Sequence, residues 1–243
     1  MTNKWFCVFA TAVVFTLSSV YPLAHGQDRL ASARQNLVVV ELFQSQGCSS
    51  CPPAEANLNA LADKPGVLTL SFAVTYWDQL GWKDTFATEA YTQRQWDYAH
   101  RRGRNTVWTP QVYVNGQVDL VGTDRAALEE AIGQARSDGP AIDWSRDGVT
   151  VSAAAHSNSA ADVWLVRYDP RTLLVPIGGG ENGGRTLAQR DVVREWIHLG
   201  TWEGNSVTFP LPASLSKGLK TAALVQIRRG GEILGASVQN EAD

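Results

Sequence analysis

The feature that most restricts the fold is an apolar segment followed closely by two cysteines three positions apart. Residues 37–43 are rich in valine and leucine, which predicts a buried β-strand. After a short loop ending at Gly47, the segment from Cys48 to Cys51 opens a predicted helix, because the prolines that follow are tolerated in a first helical turn. The order of strand, tight turn and cysteine-bearing helix indicates an α/β fold.

The residues that follow are predicted to continue the alternation of strands and helices. The first helix is predicted to reach about residue 63, and a second buried strand lies at 67–74. After another helix, predicted at 89–102, Asn115-Gly116 joins two short strands and gives a strong hairpin signal. A last helix, capped by Asp124, is predicted to end near residue 136. These patterns predict an α/β domain over residues 27–140, with helices flanking a mixed sheet.

Beyond residue 140 the predicted elements change from mixed to all-β. A linker candidate at 137–140 precedes seven short β-rich runs, which are separated by glycine, proline, asparagine and aspartate. This spacing is typical of an antiparallel sandwich, so we expect a β-sandwich-like domain over residues 141–243. The glycine-rich segment 178–185 lacks a P-loop lysine and is interpreted as a flexible inter-strand loop rather than a phosphate site.

The N-terminus predicts export. Lys4 precedes an uncharged, mostly apolar stretch, and Ala24 and Gly26 provide the small residues of a cleavage site, so residues 1–26 are interpreted as a signal peptide. The alternative is an uncleaved membrane anchor. We expect a periplasmic or secreted protein with no stable membrane insertion after cleavage. The formal net charge of −3 argues against general nucleic-acid binding.

Removal of the signal peptide leaves two cysteines, Cys48 and Cys51. A disulfide that closes so short a loop removes little unfolded-state entropy, which favours a reactive pair over a structural one. Cys48 is the candidate nucleophile, because a helix N-terminus stabilises a thiolate, and Cys51 is the candidate resolving thiol. An inert disulfide and a zinc half-site remain alternatives. The remaining histidines are isolated in sequence, so no metal or other cofactor is expected.

Two further positions are candidates for the same site. Thr109-Pro110 precedes a predicted strand, and we predict a cis peptide bond there. Glu41 is the acid within the strand before the cysteines, where a charge is costly unless it has a purpose. It either takes the proton from Cys51, or it faces away and binds solvent or a neighbouring hydroxyl.

Three tryptophans, Trp77, Trp82 and Trp108, are candidates to line a substrate groove near the cysteines. Trp108 is the strongest of them, because it is close to Pro110 in sequence. The alternative is that these rings pack beneath the helix predicted at 89–102, which is an insertion between Cys51 and Pro110.

Cys48, Cys51 and Thr109-Pro110, in this order, resemble the thioredoxin superfamily. More narrowly, the mature chain resembles a bacterial secreted family, domain-of-unknown-function family 1223, in the segments VELFQSQGCSSCPPAEANL, YWDQLGWKDTFA, WTPQVYVNG and GENGGRTLAQRDVVREW. The resemblance implies a thioredoxin-like fold in which a cis-proline packs against the cysteine pair and leaves the preceding backbone free for an extended peptide. Gly47 replaces the usual tryptophan, and Ser49-Ser50 replace Gly-Pro.

The function expected from these features is that of an exported thiol–disulfide oxidoreductase. Its substrate would be a cysteine-containing protein or a small thiol, with a membrane or periplasmic redox partner, and the cysteine pair itself would carry the two electrons. A non-catalytic binding module with a permanent disulfide is the alternative. Copper handling is less favoured, because the chain after the signal peptide has no methionine.

Overall fold

The computed structural model describes residues 1–3, 37–136, 138–146, 148–154 and 160–240. Apart from residues 1–3, all of these residues belong to one compact unit. Apart from its first three residues, the predicted signal peptide lies outside the described ranges. Within those ranges, no helix has both the length and the apolar character needed to cross a membrane.

The described residues form three α-helices, one 3₁₀ turn and thirteen strands. The helices are α1 (Cys51–Asn59), α2 (Glu89–Arg101) and α3 (Arg125–Gln134), and the 3₁₀ turn is Asp78–Leu80. The strands are β1 (Val38–Gln44), β2 (Val67–Ala73), β3 (Gln111–Val114), β4 (Val118–Val121), β5 (Ile142–Trp144), β6 (Gly148–Val151), β7 (Ala161–Asp169), β8 (Leu173–Pro176), β9 (Thr186–Gln189), β10 (Val192–Trp202), β11 (Val207–Pro210), β12 (Lys220–Ile227) and β13 (Ile233–Val238).

An eight-stranded mixed sheet forms the centre of the molecule, in the order β13-β12-β7-β10-β2-β1-β3-β4. β1 runs parallel to β2 and antiparallel to β3. Its apolar residues alternate between two cores, with Val40 and Leu42 packed with α1 and Val39 and Phe43 on the opposite face. This double burial explains why β1 reads as a continuous apolar run.

The predicted hairpin and helix cap are confirmed. Asn115 and Gly116 both have positive φ, as a tight hairpin between β3 and β4 requires. A Cβ on Gly116 would lie 2.7 Å from the Gly231 carbonyl oxygen, so the turn also needs glycine for space. The Asp124 carboxylate accepts a hydrogen bond from Ala127 N (3.0 Å) and caps α3.

The predicted boundary near residue 140 does not separate two compact units. β7, β10, β12 and β13 continue the same sheet that holds β1 to β4. β10 joins it at β2, where Val192 pairs with Ser71 and Ser71 N donates to Asp191 O (2.9 Å). Without this pairing, β2 would leave one edge of its backbone unsatisfied. The expectation of a separate all-β domain is therefore corrected.

The second β-layer predicted for the C-terminal half is present in a smaller form. A three-stranded sheet, ordered β11-β6-β5, packs over β7, β12 and β13 and encloses its own apolar cluster. Val163 and Val225 of the large sheet belong to this cluster, together with Val149 from the small sheet. The C-terminal strands of the large sheet are therefore buried on both faces. One face packs on the central core, and the other packs on the small sheet.

The large sheet curls so that its edge strand β13 returns to the start of β1 and to the β3–β4 turn. Leu37 N donates to Ala236 O (3.1 Å), and Ile233 N donates to Asn115 O (2.9 Å). The curled face encloses an aromatic cluster in which Phe72 and Tyr98 are fully buried. β1 and β2 run parallel and end at the same edge of the sheet, where α1 begins, and this edge holds the cysteines.

Candidate functional site

Cys48 and Cys51 form a disulfide just beyond the end of β1, with their Cα atoms 5.4 Å apart. Helix α1 begins at Cys51, with Ser50 as its N-cap, so the predicted helix start at Cys48 is too early. Ser49 and Ser50 form a turn in which Cys51 N donates to Cys48 O (3.1 Å). Ser50 Oγ lies 3.3 Å from Cys48 Sγ. Both cysteines are buried, at 0% and 1% exposure.

A loop from the β8–β9 hairpin lies against the turn that holds the disulfide. We call it the cover loop, and it comprises residues 177–185. Asn182 is completely buried, and its Nδ2 donates to the carbonyl oxygens of Gln46 and Cys48, both at 2.9 Å. At the rim, Glu181 accepts a hydrogen bond from Ser49 N (3.0 Å).

Arg185 completes the cover loop by fixing its central asparagine. Arg185 Nη1 donates to Asn182 Oδ1 (2.6 Å), which holds the amide with its NH₂ group toward the cysteine turn. Sequence reasoning predicted the loop, but it did not assign these residues to the site. They lie more than 130 positions beyond Cys48, and no local pattern connects the two segments.

A cleft of about 190 Å³ runs beside the disulfide, between α1 and β9. Its lining includes Cys51 and, one helical turn later, Glu55. Glu55 is buried, and its Oε1 accepts a hydrogen bond from Ser71 Oγ on β2 (2.8 Å). Glu55 Oε2 has no hydrogen-bond partner among the described residues. The sequence alone does not single out Glu55, because no local pattern marks it as buried.

The environment of Glu55 favours its neutral form. Burial raises its pKa from 4.5 to about 8, and the nearby carboxylates of Asp84 and Asp191 act in the same direction. The Ser71 hydrogen bond opposes this rise. Gln189 also lowers the pKa, although its Nε2 has no partner at hydrogen-bonding geometry in the described chain. At neutral pH the cleft therefore contains a mostly protonated carboxylic acid beside Cys51.

Glu41 lies on the other face of the sheet. Its carboxylate accepts from Arg94 Nε (2.8 Å) and from the Tyr98 hydroxyl, and it forms a buried ion pair with Arg94 Nη2 (2.7 Å). Arg94 also donates to Gln226 Oε1 (2.9 Å). This placement agrees with the interpretation that Glu41 binds a neighbouring hydroxyl. It corrects the alternative of proton transfer to Cys51, because the sheet separates Glu41 from the α1 face.

The Thr109–Pro110 peptide bond is cis, as predicted. Pro110 is buried and directly precedes β3, which pairs with β1 through Phe43 and Gln111. The antiparallel register brings Pro110 to the same sheet edge as the cysteine turn. Thr109 Oγ1 accepts a hydrogen bond from Trp77 Nε1 (2.8 Å), which ties the proline turn to the aromatic segment after β2.

The three candidate tryptophans are all half-buried, but they occupy different places. Trp77 and Trp82 lie close to Gly47, since a Cβ placed there would be 3.6 Å from Trp77 Cβ and 3.8 Å from Trp82 O. Trp82 Nε1 donates to Gln46 Oε1 (3.0 Å), and its ring packs under the glycines of the cover loop. Trp108 instead lies under the guanidinium of Arg104, 5.6 Å from the ring centroid.

The described residues contain no group of three or more His, Cys, Asp or Glu side chains arranged to hold a metal ion. His100 packs against Trp96, and His198 Nε2 lies 3.2 Å from Asp162 Oδ1. His156 falls outside the described ranges. None of the lining residues of the cysteine cleft is a histidine.

Comparison with known proteins now identifies the family. The family model described as "Protein of unknown function (DUF1223)" matches residues 39–226. The chain belongs to the DUF1223 family. The matched segment contains the cysteine pair, the cis-proline, Glu55 and the cover loop. No curated protein matches the chain significantly.

Two solved structures are similar to this DUF1223 protein. An X-ray structure of a protein from Agrobacterium tumefaciens has 31% identity and a TM-score of 0.71, over 87% of this chain and 98% of the other. HBP35 of Porphyromonas gingivalis has 12% identity and a TM-score of 0.54, over 85% of this chain and 75% of its own. The second likeness concerns the fold alone.

Proposed function

We propose that this DUF1223 protein is an exported thiol–disulfide oxidoreductase built on a thioredoxin-like arrangement. The observation that carries the proposal is the shared cleft of Cys51 and Glu55, in which a protonated buried acid lies beside a disulfide. Perturbed acids in clefts are typical of sites that transfer protons. Export rests on the signal-like N-terminus, and it would place the pair in an oxidising compartment.

The chemistry begins with a substrate thiolate that attacks Cys48 Sγ. A new disulfide forms between the substrate and Cys48, while the bond between Cys48 and Cys51 breaks and Cys51 Sγ departs with the electron pair. A second substrate thiolate then displaces Cys48 from the mixed disulfide. The two substrate thiols are thereby oxidised to a disulfide, and the cysteine pair is reduced. The reverse sequence reduces a substrate disulfide.

Glu55 is the proposed proton donor to Cys51 in this step. Its pKa of about 8 is close to that of an ordinary thiol, about 8.5, so a proton can move between the two groups at little free-energy cost. In the reverse direction the Glu55 carboxylate accepts the Cys51 proton and makes the resolving thiolate. Ser50 Oγ, 3.3 Å from Cys48 Sγ, can donate a hydrogen bond to the Cys48 thiolate and lower the pKa of that thiol.

One observation favours a second candidate, a binding module with a permanent disulfide. Both cysteines are buried, and Asn182 holds the turn that contains Cys48. A structural disulfide should resist reduction by the glutathione pool, whereas a catalytic pair should equilibrate with it. The two candidates therefore differ in reduction potential.

The deciding experiment is thiol titration of the purified mature protein across a glutathione redox series. If the protein is an oxidoreductase, its cysteine pair should be half reduced at a buffer potential between roughly −120 and −270 mV. A permanent disulfide should stay oxidised even when the buffer potential is below about −300 mV. Trapping provides a second readout. The Cys51→Ser variant should accumulate mixed disulfides through Cys48, and the Cys48→Ser variant should accumulate far fewer. Equal trapping by both variants would contradict the assigned roles.

A further inference from the structure

The cleft beside the disulfide contains polar groups that the chain itself leaves without partners. Glu55 Oε2, Asn59 Oδ1 and Gln189 Nε2 are buried atoms that have no hydrogen-bond partner among the described residues, and all three residues line the cleft. Glu55 is 95% buried and Gln189 fully so. Such atoms usually bind something, because an unsatisfied buried polar group costs about 1–3 kcal/mol.

The other hydrogen bonds of these side chains fix them in place. Asn59 Nδ2 donates to Ala188 O (3.1 Å), and Gln189 Oε1 accepts from Gln46 Nε2 (2.9 Å). One amide therefore has a spare acceptor, and the other has a spare donor. Because each amide uses its second group in the protein, neither can reverse its role without losing a bond.

We infer that this cleft binds a peptide group of a substrate polypeptide next to the disulfide. A peptide carbonyl would accept from Gln189 Nε2, and a peptide N–H would donate to Asn59 Oδ1. Pro52, Ala56 and Leu187 supply apolar lining for the flanking carbon atoms. This inference rests on the proposed function and specifies its substrate class as polypeptide rather than small thiol.

Charge and volume favour a peptide group over an ion or a single water. At neutral pH Glu55 is mostly protonated, and the Arg185 guanidinium at the cleft is bonded to Asn182 Oδ1. A neutral group that has both a donor and an acceptor therefore matches the available partners, which are the Asn59 oxygen, the Gln189 amide and the protonated Glu55 carboxyl. The volume of about 190 Å³ is several times the roughly 30 Å³ occupied by one water in the liquid.

The test follows the single-turnover oxidation of the reduced protein by two disulfide substrates, so that the cysteine pair itself supplies the two electrons. One is a peptide with a single intramolecular disulfide, and the other is bis(2-hydroxyethyl) disulfide, which contains no amide. Asn59→Leu removes one proposed bond, and we expect the half-saturating concentration of the peptide to rise about 2- to 13-fold with the limiting rate unchanged, which corresponds to the net contribution of one hydrogen bond. The rate of this variant with bis(2-hydroxyethyl) disulfide should not change. Gln189→Met removes the other proposed bond but also an amide that lowers the pKa of Glu55, so for this variant we expect the half-saturating concentration of the peptide to rise relative to that of the small disulfide.

Gln134→Leu is the matched control, because it removes an exposed amide on α3, outside the cleft. This variant should react with both disulfides at the wild-type rate. Asn59 is half-buried, so the Asn59→Leu variant still tests the subsite where Gln189→Met fails to fold. Equal effects of Asn59→Leu on both disulfides, or no effect on either, would overturn the peptide subsite.

A second measurement separates this inference from the proposed function. The oxidised protein is titrated with acetyl-tetraalanine amide, a peptide that has no cysteine, and the side-chain amide signals of Gln189 and Asn59 are followed by NMR. We expect saturable shifts of both signals, and unchanged signals would overturn the subsite. Saturable shifts in a protein that exchanges with no disulfide would retain the subsite and reject the oxidoreductase.

Discussion

Two buried glutamates on opposite faces of the same sheet have opposite environments. Glu41 on β1 receives hydrogen bonds from Arg94 and Tyr98, so its charge is neutralised and both of its oxygens are bonded. Glu55 on α1 accepts a hydrogen bond from Ser71, and no cation is among the groups that shift its pKa. The first arrangement stabilises a charge, and the second disfavours one.

This difference separates a structural carboxylate from one suited to chemistry. A paired and fully bonded carboxylate joins the elements that contribute its partners. An unpaired buried acid has a pKa near neutral pH and can exchange a proton there. The sequence position of Glu41, in the strand before the cysteines, suggested it as the residue that exchanges a proton with Cys51. The hydrogen-bond partners of the two glutamates instead favour Glu55 for this role.

The largest effect should come from breaking the Glu41 pair. Arg94→Met leaves the Glu41 carboxylate buried without its cation, and we expect the free energy of unfolding to fall by about 3–5 kcal/mol. The loss includes the packing of the guanidinium over Trp196, 3.9 Å from its centroid. Urea unfolding with the disulfide intact measures the change.

The exposed pair between Arg125 and Glu129 on α3 provides the control for Arg94→Met. Arg125→Met should change the free energy of unfolding by no more than about 1 kcal/mol, because exposed ion pairs contribute little. Similar losses for Arg94→Met and Arg125→Met would show that burial of the Glu41 pair has no special energetic role.

The next effect concerns Glu55 and depends on pH. Below pH 4.5 both the folded and the unfolded protein keep Glu55 protonated, so its ionisation does not affect stability. Between pH 4.5 and about 8 only the unfolded chain ionises, so the free energy of unfolding falls with rising pH by about 1.4 kcal/mol per unit from this group. Above pH 8 the loss is complete and constant.

Glu55→Gln removes this ionisation while keeping an acceptor for Ser71. The stability advantage of the variant should be small at pH 5 and should grow to at most about 4 kcal/mol at pH 8. Urea unfolding at pH 5, 6.5 and 8 measures it. Parallel pH profiles for the variant and the wild type would contradict the raised pKa of Glu55.

The smallest effect tests whether the Glu55 side of the sheet, unlike the Glu41 side, has a removable cover. Asn182→Ala deletes the two hydrogen bonds to Gln46 O and Cys48 O, so the free energy of unfolding should fall by about 1–2 kcal/mol. Iodoacetamide should then label Cys48 in the reduced protein faster than in wild type. Unchanged labelling would mean that the cover loop does not limit access.

Much of the local structure follows from local sequence. The valine run of β1, the Asn115-Gly116 turn and the Asp124 cap have short-range physical causes, and the structure confirms each. The cysteine spacing also indicated a disulfide within one turn, and the cis bond before Pro110 was predicted from its neighbours. These features depend on backbone geometry within a few residues.

The tertiary structure alone decided which groups surround the cysteines. β10 joins the sheet at β2, some 120 residues later in the chain, and the cover loop reaches Cys48 from a similar distance in sequence. Glu41 and Glu55 are the same residue type and lie within fifteen positions of each other. Arg94 pairs with the Glu41 carboxylate, whereas burial without a nearby cation keeps Glu55 protonated. A side chain's charge state depends on its neighbours in space, and a local sequence pattern does not contain them.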